Sequence, residues 1–412
     1  MSATGPRRAA VVFIFITVVL DILALGIIIP VLPMLVEQFL GGNTARAATI
    51  FGVFGTVWAL MQFGFAPILG ALSDQWGRRP IILISCAGLG LDYVFMALAP
   101  TLGWLFVGRV ISGVTAASFS TAGAYIADVT PVEKRAAGFG MIGAAFGLGF
   151  VLGPALGGVL GAIDPRLPFW VAAGLALVNA AYGYFVLPES LPVERRKAFS
   201  WSRVNPLGSL RLLRSRRELF GIATVSVFYY LAHHVLPSVF VLYGSYRYGW
   251  DMRATGLTLA AVGVMSIIVQ GGLVRPLVAR FGERRTLLAG LACGAAGFVI
   301  YGLAETGTVF WLGIPVFGLM GLYGPSAQGL MTRYVGPSEQ GQLQGINSSF
   351  MGMTGIIGPA IFSLTFASFI GPHADLHLPG APFLLAALLL AVAFVVAWRV
   401  TQPASASTAV LK

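Results

Sequence analysis

Apolar runs of about twenty residues and more alternate with short polar breaks along the whole 412-residue chain. Twelve runs stand out, at 9–36, 48–71, 80–100, 102–126, 136–162 and 166–187, then at 218–243, 253–279, 286–304, 307–335, 340–370 and 379–400. Each has the ~20 residues that a helix needs to cross a bilayer core. A membrane barrel would instead show segments of roughly ten residues with alternating apolar and polar positions, which this chain lacks. The pattern predicts an all-α integral membrane protein whose twelve transmembrane helices form two pseudo-symmetric six-helix bundles. The bundles are expected over 1–187 and 218–401, joined by a cytoplasmic linker over 188–217 with eight basic side chains. The remainder, 402–412, is short, small and polar, and is expected to be disordered.

The halves repeat in detail. Phe146-Gly-Leu-Gly-Phe-Val-Leu-Gly-Pro154 in the fifth run is echoed 205 residues later by Met351-Gly-Met-Thr-Gly-Ile-Ile-Gly-Pro359 in the eleventh. The same offset of 205 relates the polar loop Gly70-Ala-Leu-Ser-Asp-Gln-Trp-Gly-Arg-Arg-Pro80 to a shorter copy, Phe281-Gly-Glu-Arg-Arg285. Two motifs in one register point to a duplicated unit, the organisation from which alternating-access transporters are built. In the first loop, Gly70 and Gly77 suit a tight turn, and Pro80 suits the first turn of the following helix. An ordinary basic loop would be satisfied by Arg78 and Arg79 alone.

Composition agrees with the pattern. Hydrophobic residues make up 57% and charged residues 10%, far below the ~25% of a water-soluble domain. The net charge of +11 does not mark a nucleic-acid partner, because the basic residues follow the loops. With the N-terminus in the cytoplasm, 21 of the 26 Lys and Arg lie on the cytoplasmic side. Arg46, Arg166, Arg247 and Arg253 then lie outside and Arg109 within the membrane, which the positive-inside rule favours. Both termini are therefore expected to be cytoplasmic. Arg7 and Arg8 before an apolar run do not make a cleaved signal, since the run continues through Asp21 and Pro30 without a small-residue cleavage site. Cys86 and Cys293, both inside predicted helices, say nothing about a disulfide framework.

Three charges fall where lipid would otherwise be: Asp21 in the first span, Asp92 in the third and Arg109 in the fourth. Each costs at least ~2.5 kcal/mol near the bilayer centre, so all three are expected to face a cavity, with a purely structural Asp92–Arg109 pair as the alternative. Loss of water favours the protonated carboxyl and a nearby cation favours the carboxylate, so such a group can exchange a proton for a substrate. Gln62, Gln270, Gln328 and Asn347 are candidates for substrate contact or for bridging helices. His233 and His234 are candidates as a rare titratable pair, although successive helical positions point about 100° apart. Tyr229, Tyr230, Phe240 and Tyr243 suit either an aromatic substrate surface or an interfacial belt. In the fifth span Gly149, Gly153 and Gly157 recur every four residues, followed by Gly158, with Pro154 forcing a kink that small-residue packing alone does not need.

The Gly70–Pro80 loop resembles the signature loop of the major facilitator superfamily, and the Gly149–Gly158 run resembles the antiporter motif of its drug:proton exporters. More narrowly, the chain is similar to the twelve-helix tetracycline efflux family. The stretches that carry this are Asp21–Pro33, Ala59–Pro67, Gly70–Pro80, Leu91-Asp92-Tyr93, Gly108–Gly113, Ala124–Asp128 and Gln340–Gly345. The resemblance implies export of a tetracycline, as its complex with a divalent cation, in exchange for a proton, at the bacterial inner membrane. Asp21, Asp92 and Arg109 would then be the coupling charges and Gln62 a substrate contact. Asp74, Arg78 and Asp128, with Gly70, Gly77 and Arg79, would form a cytoplasmic gate whose salt bridges hold one conformation and break in the other. The second half departs from the family. Where its tetracycline exporters usually carry an acid in the ninth span, this chain reads Cys293-Gly-Ala-Ala-Gly297, and Ser266 stands near the place of an eighth-span histidine. Coupling is then expected to rest on Asp21 and Asp92, with His233 or His234 as further candidates.

The sequence thus predicts a proton-coupled exporter of tetracycline-like or other amphipathic drugs, functional as a monomer, with a small-molecule substrate and the bilayer as its partners. A transporter of a sugar, amino acid or other metabolite is the alternative on the same fold. A membrane-embedded enzyme or sensor is disfavoured, because no metal-ligand cluster, paired nucleophile or phosphate-binding loop is present and no cofactor is called for beyond the proton.

Overall fold

The computed structural model describes residues 5–116, 118–131, 135–201, 204, 213, 217–336 and 339–402, with side chains not described at 5–11, 118–120, 135–139 and 217–218. Most of the expected linker over 188–217 past residue 201, and nearly all of the tail, lie outside the described residues. Among the described residues, ten helical stretches are long and apolar enough to cross a membrane. One of them, Met252–Leu303, runs for 52 residues, about 78 Å of helix at 1.5 Å per residue and so more than two bilayer cores. It is broken at Gly282 (φ 78°, ψ 162°) and supplies two spans. Leu102–Thr115 and Ser118–Val129 together supply a twelfth.

In chain order the spans are α1 (Gly5–Ile28, continued by Leu32–Phe39), α2 (Thr44–Trp76), α3 (Arg78–Ala97) and α4 (Leu102–Thr115 with Ser118–Val129). They continue as α5 (Arg135–Ile163), α6 (Leu167–Val186), α7 (Arg217–His233, then Val235–Tyr248) and α8 (Met252–Ile268, then a π-helical turn Val269–Leu273 and on to the Gly282 break). The last four are α9 (283–303), α10 (Gly307–Gly318, a 3-10 turn Leu319–Leu322, then Tyr323–Thr332), α11 (Gln340–Ile370) and α12 (Ala381–Val400). Local chemistry sets several boundaries. The side chains of Asn43, Asp251 and Thr306 accept from backbone N–H groups three residues on and cap α2, α8 and α10. Pro30, which has no N–H, falls in the turn that divides α1.

The two halves meet along two glycine seams. On the first, the Pro359 carbonyl of α11 faces Gly52 of α2, and the Thr56 hydroxyl donates to the Ile356 carbonyl at 2.9 Å. On the second, the Pro154 carbonyl of α5 faces Gly256 of α8, and Gly158 sits on the same glycine. Each repeated Gly-Pro turn therefore abuts a glycine on a helix of the opposite half. Contact along the first seam runs down to Phe63 against Gly352, and along the second to Gly147 against Ile267. Beyond those points a Cβ built on Gly64, Gly70, Gly140, Gly143, Gly271 or Gly272 would meet nothing within 4 Å.

The apolar core divides in the same place. One buried cluster runs through both halves, from Ile28 and Phe54 to Phe240 and Phe366. Towards the Gly77 and Gly282 loops it gives way to two separate clusters, one around Tyr125 and Ile126 and the other around Leu343 and Ile346. Among the described residues, the halves are closed on one side and parted on the side of the two loops.

Candidate functional site

The cavity between the halves narrows along the first seam, past the contact of Phe63 with Gly352. There Gly355 of α11 lies against Ala59 of α2 and the His234 ring of α7, so the break in α7 sits beside the stretch of α2 that holds Trp58, Gln62 and Phe63. Arg109 of α4 stands half-buried with its guanidinium 5.4 Å from the Trp58 ring centroid, a cation–π contact. Gln62 is half-buried nearby on α2.

Asp92 is not open to this cavity. It is 1% exposed on α3, with both carboxylate oxygens hydrogen-bonded to no described residue. Oδ1 lies beside Gly108, where a Cβ would stand 3.2 Å from it. The alternative of a direct Asp92–Arg109 ion pair is not realised, since no salt bridge joins them among the described residues and Arg109 turns to Trp58 instead. Asp21 departs further from expectation. It is 5% exposed inside the N-terminal half, where Asn179 Nδ2 of α6 donates to Asp21 Oδ1 at 3.1 Å and to the Thr17 carbonyl at 2.9 Å. The Cys86 thiol of α3 approaches Asp21 Oδ2 at 3.8 Å. Asp21 therefore ties α1, α3 and α6 together rather than facing the cavity. Asn179 was missed in the sequence, although one amide in an otherwise apolar helix was a signal.

In the C-terminal half the candidates separate. Asn347 Nδ2 of α11 donates to Gln328 Oε1 of α10 at 2.9 Å, so these two bridge helices. Gln270 is exposed in the π-helical turn of α8 and donates to Ser266 Oγ at 2.7 Å. His234 packs against Gly355 and Gly358, whereas His233 is exposed and lies nearly parallel to Tyr229. Tyr229 and Tyr230 stand in this same interior region. Phe240 and Tyr243 form neither a substrate surface nor a belt; both are almost fully buried in an aromatic core with Trp250, Tyr301, Phe310 and Phe383. Gly294 is buried, and a Cβ there would lie 2.9 Å from both Leu390 and Met320, so a ninth-span acid at this position would require those side chains to shift.

The glycine run of α5 serves two helices. Gly149 and Gly157 pack on Ile22 and Ile27 of α1, and Gly153 meets Gly26 so closely that a Cβ would lie 2.6 Å from its Cα. Gly158 points the other way, to α8, and Pro154 lies inside the helix against Gly26 as well.

At the loop side, Gly77 (φ 107°) turns the chain sharply from α2 into α3. Arg78 pairs with Asp74 at 2.6 Å and Asp128 at 3.2 Å and donates to Ser73 Oγ at 2.6 Å. Arg79 instead caps α6 by donating to the Tyr184 carbonyl, with its guanidinium over the Tyr184 ring. Gly70 contributes a carbonyl that accepts from the Ser73 hydroxyl. Glu189, unforeseen in the sequence, organises this gate. Its carboxylate accepts from the backbone N–H groups of Arg78, Arg79, Ser190 and Leu191, filling the space beside Gly77. An acid placed directly after α6 and opposite a basic loop was the available signal.

Comparison with known proteins accounts for this architecture. The Major Facilitator Superfamily model matches residues 14–320 and 272–410. Tetracycline resistance protein, class C, of Escherichia coli is 38% identical over 366 residues, covering 87% of this chain and 90% of that protein. The class H protein of Pasteurella multocida is 33% identical over 404 residues, covering 96% and 98%. Among solved structures, a bacterial homolog of the human lysosomal transporter Spinster, inward-facing and unoccupied, superposes with a TM-score of 0.76 at 15% identity over 97% and 98% of the two chains. The human organic anion transporter MFSD10 gives 0.71 at 23% identity over 96% and 100%. The chain is a multi-pass membrane transporter that belongs to the major facilitator superfamily, in its tetracycline efflux family.

Proposed function

We propose that this protein exports tetracycline-like or other amphipathic drugs from the bacterial cytoplasm by alternating access, one drug leaving as protons enter. The observation that carries the reading is the combination of halves parted on one side with Asp92 buried against Gly108 of α4 and hydrogen-bonded to no described residue. An ionised carboxylate in such a place is costly unless a proton or a cation compensates it. Protonation of Asp92 removes that cost; approach of Arg109, held 5.4 Å from the Trp58 ring centroid, offsets it differently. The two arrangements give the transporter two states that drug and proton can select between. With the basic loops inside, the open side is cytoplasmic, the structure is inward-facing, and both termini lie in the cytoplasm at the inner membrane.

Tetracycline would enter as its complex with a divalent cation, which is cargo and not a resident cofactor. The transport cycle needs no second copy of the chain, because each half supplies one wall of the cavity. Drug tolerance of a sensitive strain, together with drug uptake into everted vesicles with and without a proton gradient, tests the reading. Uptake should require the gradient and fall more than tenfold in Asp92→Asn at equal abundance, as expected when a coupling proton site is removed. Uptake of a sugar or amino acid in place of any drug would move the protein to the metabolite alternative, and gradient-independent uptake would end the antiport reading.

A further inference from the structure

We propose that His233 selects which ring systems the cavity accepts: its imidazole is the open end of an aromatic series and takes a planar ring of the exported molecule face to face. The proposal rests on the export reading only for calling that molecule a substrate. The series is anchored in the C-terminal half. Tyr323 is 1% exposed, and its hydroxyl lies 2.9 Å from the Ser226 hydroxyl. Tyr229 stacks on it with ring centroids 3.9 Å apart and planes 22° from parallel, while Tyr230 meets Tyr229 edge-on at 5.5 Å. A ring held by two aromatic neighbours keeps its plane. One helical turn on, the His233 ring continues that plane direction, 14° from Tyr229 with centroids 6.1 Å apart.

The last ring differs from the others in being open. His233 lies deep within the protein yet is exposed, and its imidazole makes no hydrogen bond to a described residue. The helix ends there as well. The His234 N–H bonds to the Leu231 carbonyl at 3.1 Å and Val235 begins a new segment, so the imidazole stands at a helix end. The N-terminal half comes close at the next residue: Ala59 and the His234 ring both lie against Gly355, and Trp58 precedes Ala59 with Arg109 over its ring. A flat polycyclic molecule between the halves meets a π surface on each, with a cation behind one. A sugar or an aliphatic amino acid uses neither.

The test measures binding to the purified full-length protein of two planar probes, tetracycline with Mg²⁺ and ethidium, and gradient-driven uptake of the same probes into vesicles. His233→Ala removes the ring, and His233→Phe keeps a planar ring without the nitrogens. The expected result is about tenfold weaker binding in the alanine variant, the scale of one lost aromatic stack, with the phenylalanine variant within about threefold of the native protein. Native affinity in His233→Ala, equal loss in both variants, or failure of both probes to bind the native protein would each overturn the proposal. Native binding that responds as expected but without gradient-driven uptake would instead remove the export reading and leave the stacking site in place. Folding is monitored by the melting temperature of each variant, and a variant that does not fold is replaced by Tyr229→Leu. That substitution withdraws the ring that sets the plane and should weaken binding by a similar factor.

Discussion

The two loops at the open side repeat one motif and hold their halves together with bridges of opposite polarity. Arg78 and Asp128 pair at 3.2 Å in the N-terminal half. At the positions 205 residues later stand Glu283 and Arg333, which pair at 2.7 Å. The bridge has been kept and its polarity reversed. Other parts match more literally. Gly77 and Gly282 both have φ near +100° or +80° with extended ψ, 160° and 162°. Arg79 lies over the Tyr184 ring and donates to the Tyr184 carbonyl, and Arg284 does the same with Trp398, so each half ties its loop to the end of its own last helix. The surroundings differ. In the first loop Arg78 also has Asp74, and Glu189 gathers four N–H groups beside Gly77; in the second, Gly282 has open space, and Arg333 is 67% exposed against 25% for Asp128 at the equivalent position. The comparison teaches that geometry at the turn is required twice, whereas a dense polar network is built only once.

The largest expected effect separates the two glycines. Their backbone angles fall in a region that is essentially confined to glycine and costs other residues about 1–3 kcal/mol. Gly77→Ala adds to this a collision with the Glu189 carboxylate, and Gly282→Ala adds none. Both variants should melt at lower temperature, but only Gly77→Ala should lose nearly all transport at matched abundance. Equal losses would show that strain alone matters and that the Glu189 network is passive.

Removing one partner of each bridge should cost less and again unequally. Asp128→Asn leaves a largely buried Arg78 with Asp74 as its remaining acidic partner beside the Ser73 hydroxyl, a loss of about 1–3 kcal/mol, as when a buried polar group loses a partner. Arg333→Gln leaves Glu283, 19% exposed, without its partner, but the guanidinium it removes is 67% exposed, which places the expected cost nearer the ~1 kcal/mol of a solvent-facing pair. Melting temperatures of the two variants measure the difference directly. A double substitution sharpens it: Glu283→Arg with Arg333→Glu gives the second loop the polarity of the first. If the pair acts as a local bridge, the double variant should recover stability that Glu283→Arg alone loses. Failure to recover would mean that Glu283 or Arg333 answers to a charge outside its own half.

How much of this was legible in the sequence depends on whether partners are close along the chain. The helical spans were readable because apolar length is a local property, and the duplication was readable because motifs repeat in register. The offset that exposed the repeat also contained the reversed bridge, but a pair with swapped charges does not look like a motif until the contact is seen. Asp21 was assigned to the cavity from the cost of burying a charge, which is met here by Asn179, 158 positions away on α6. Asp92 was expected in the cavity, with a structural pair to Arg109 as the alternative; it is buried instead, and among the described residues the guanidinium lies over Trp58 rather than in an ion pair with it. Phe240 and Tyr243 looked like lining because aromatics near helix ends commonly sit at interfaces, and their packing against Phe310 and Phe383 is decided by helices far along the chain.

The smallest effect concerns the arginines that match best. Arg79 and Arg284 each combine a carbonyl bond at a helix end with a ring contact at 5.6 Å or 5.1 Å. Lysine keeps the charge that favours a helix C-terminus but loses the planar donor fork and much of the stacking. Each Arg→Lys change should therefore cost roughly 0.5–1 kcal/mol, the scale of an exposed cation–π contact, and the two costs should agree. Arg284 also donates to the Thr401 hydroxyl at 3.1 Å, a bond that a flexible ammonium can retain. Melting curves of the two single variants and the double variant decide the matter. Equal and additive shifts mean that the halves use the same tie independently, whereas a double variant worse than the sum would show that the two loops are coupled across the opening between the halves.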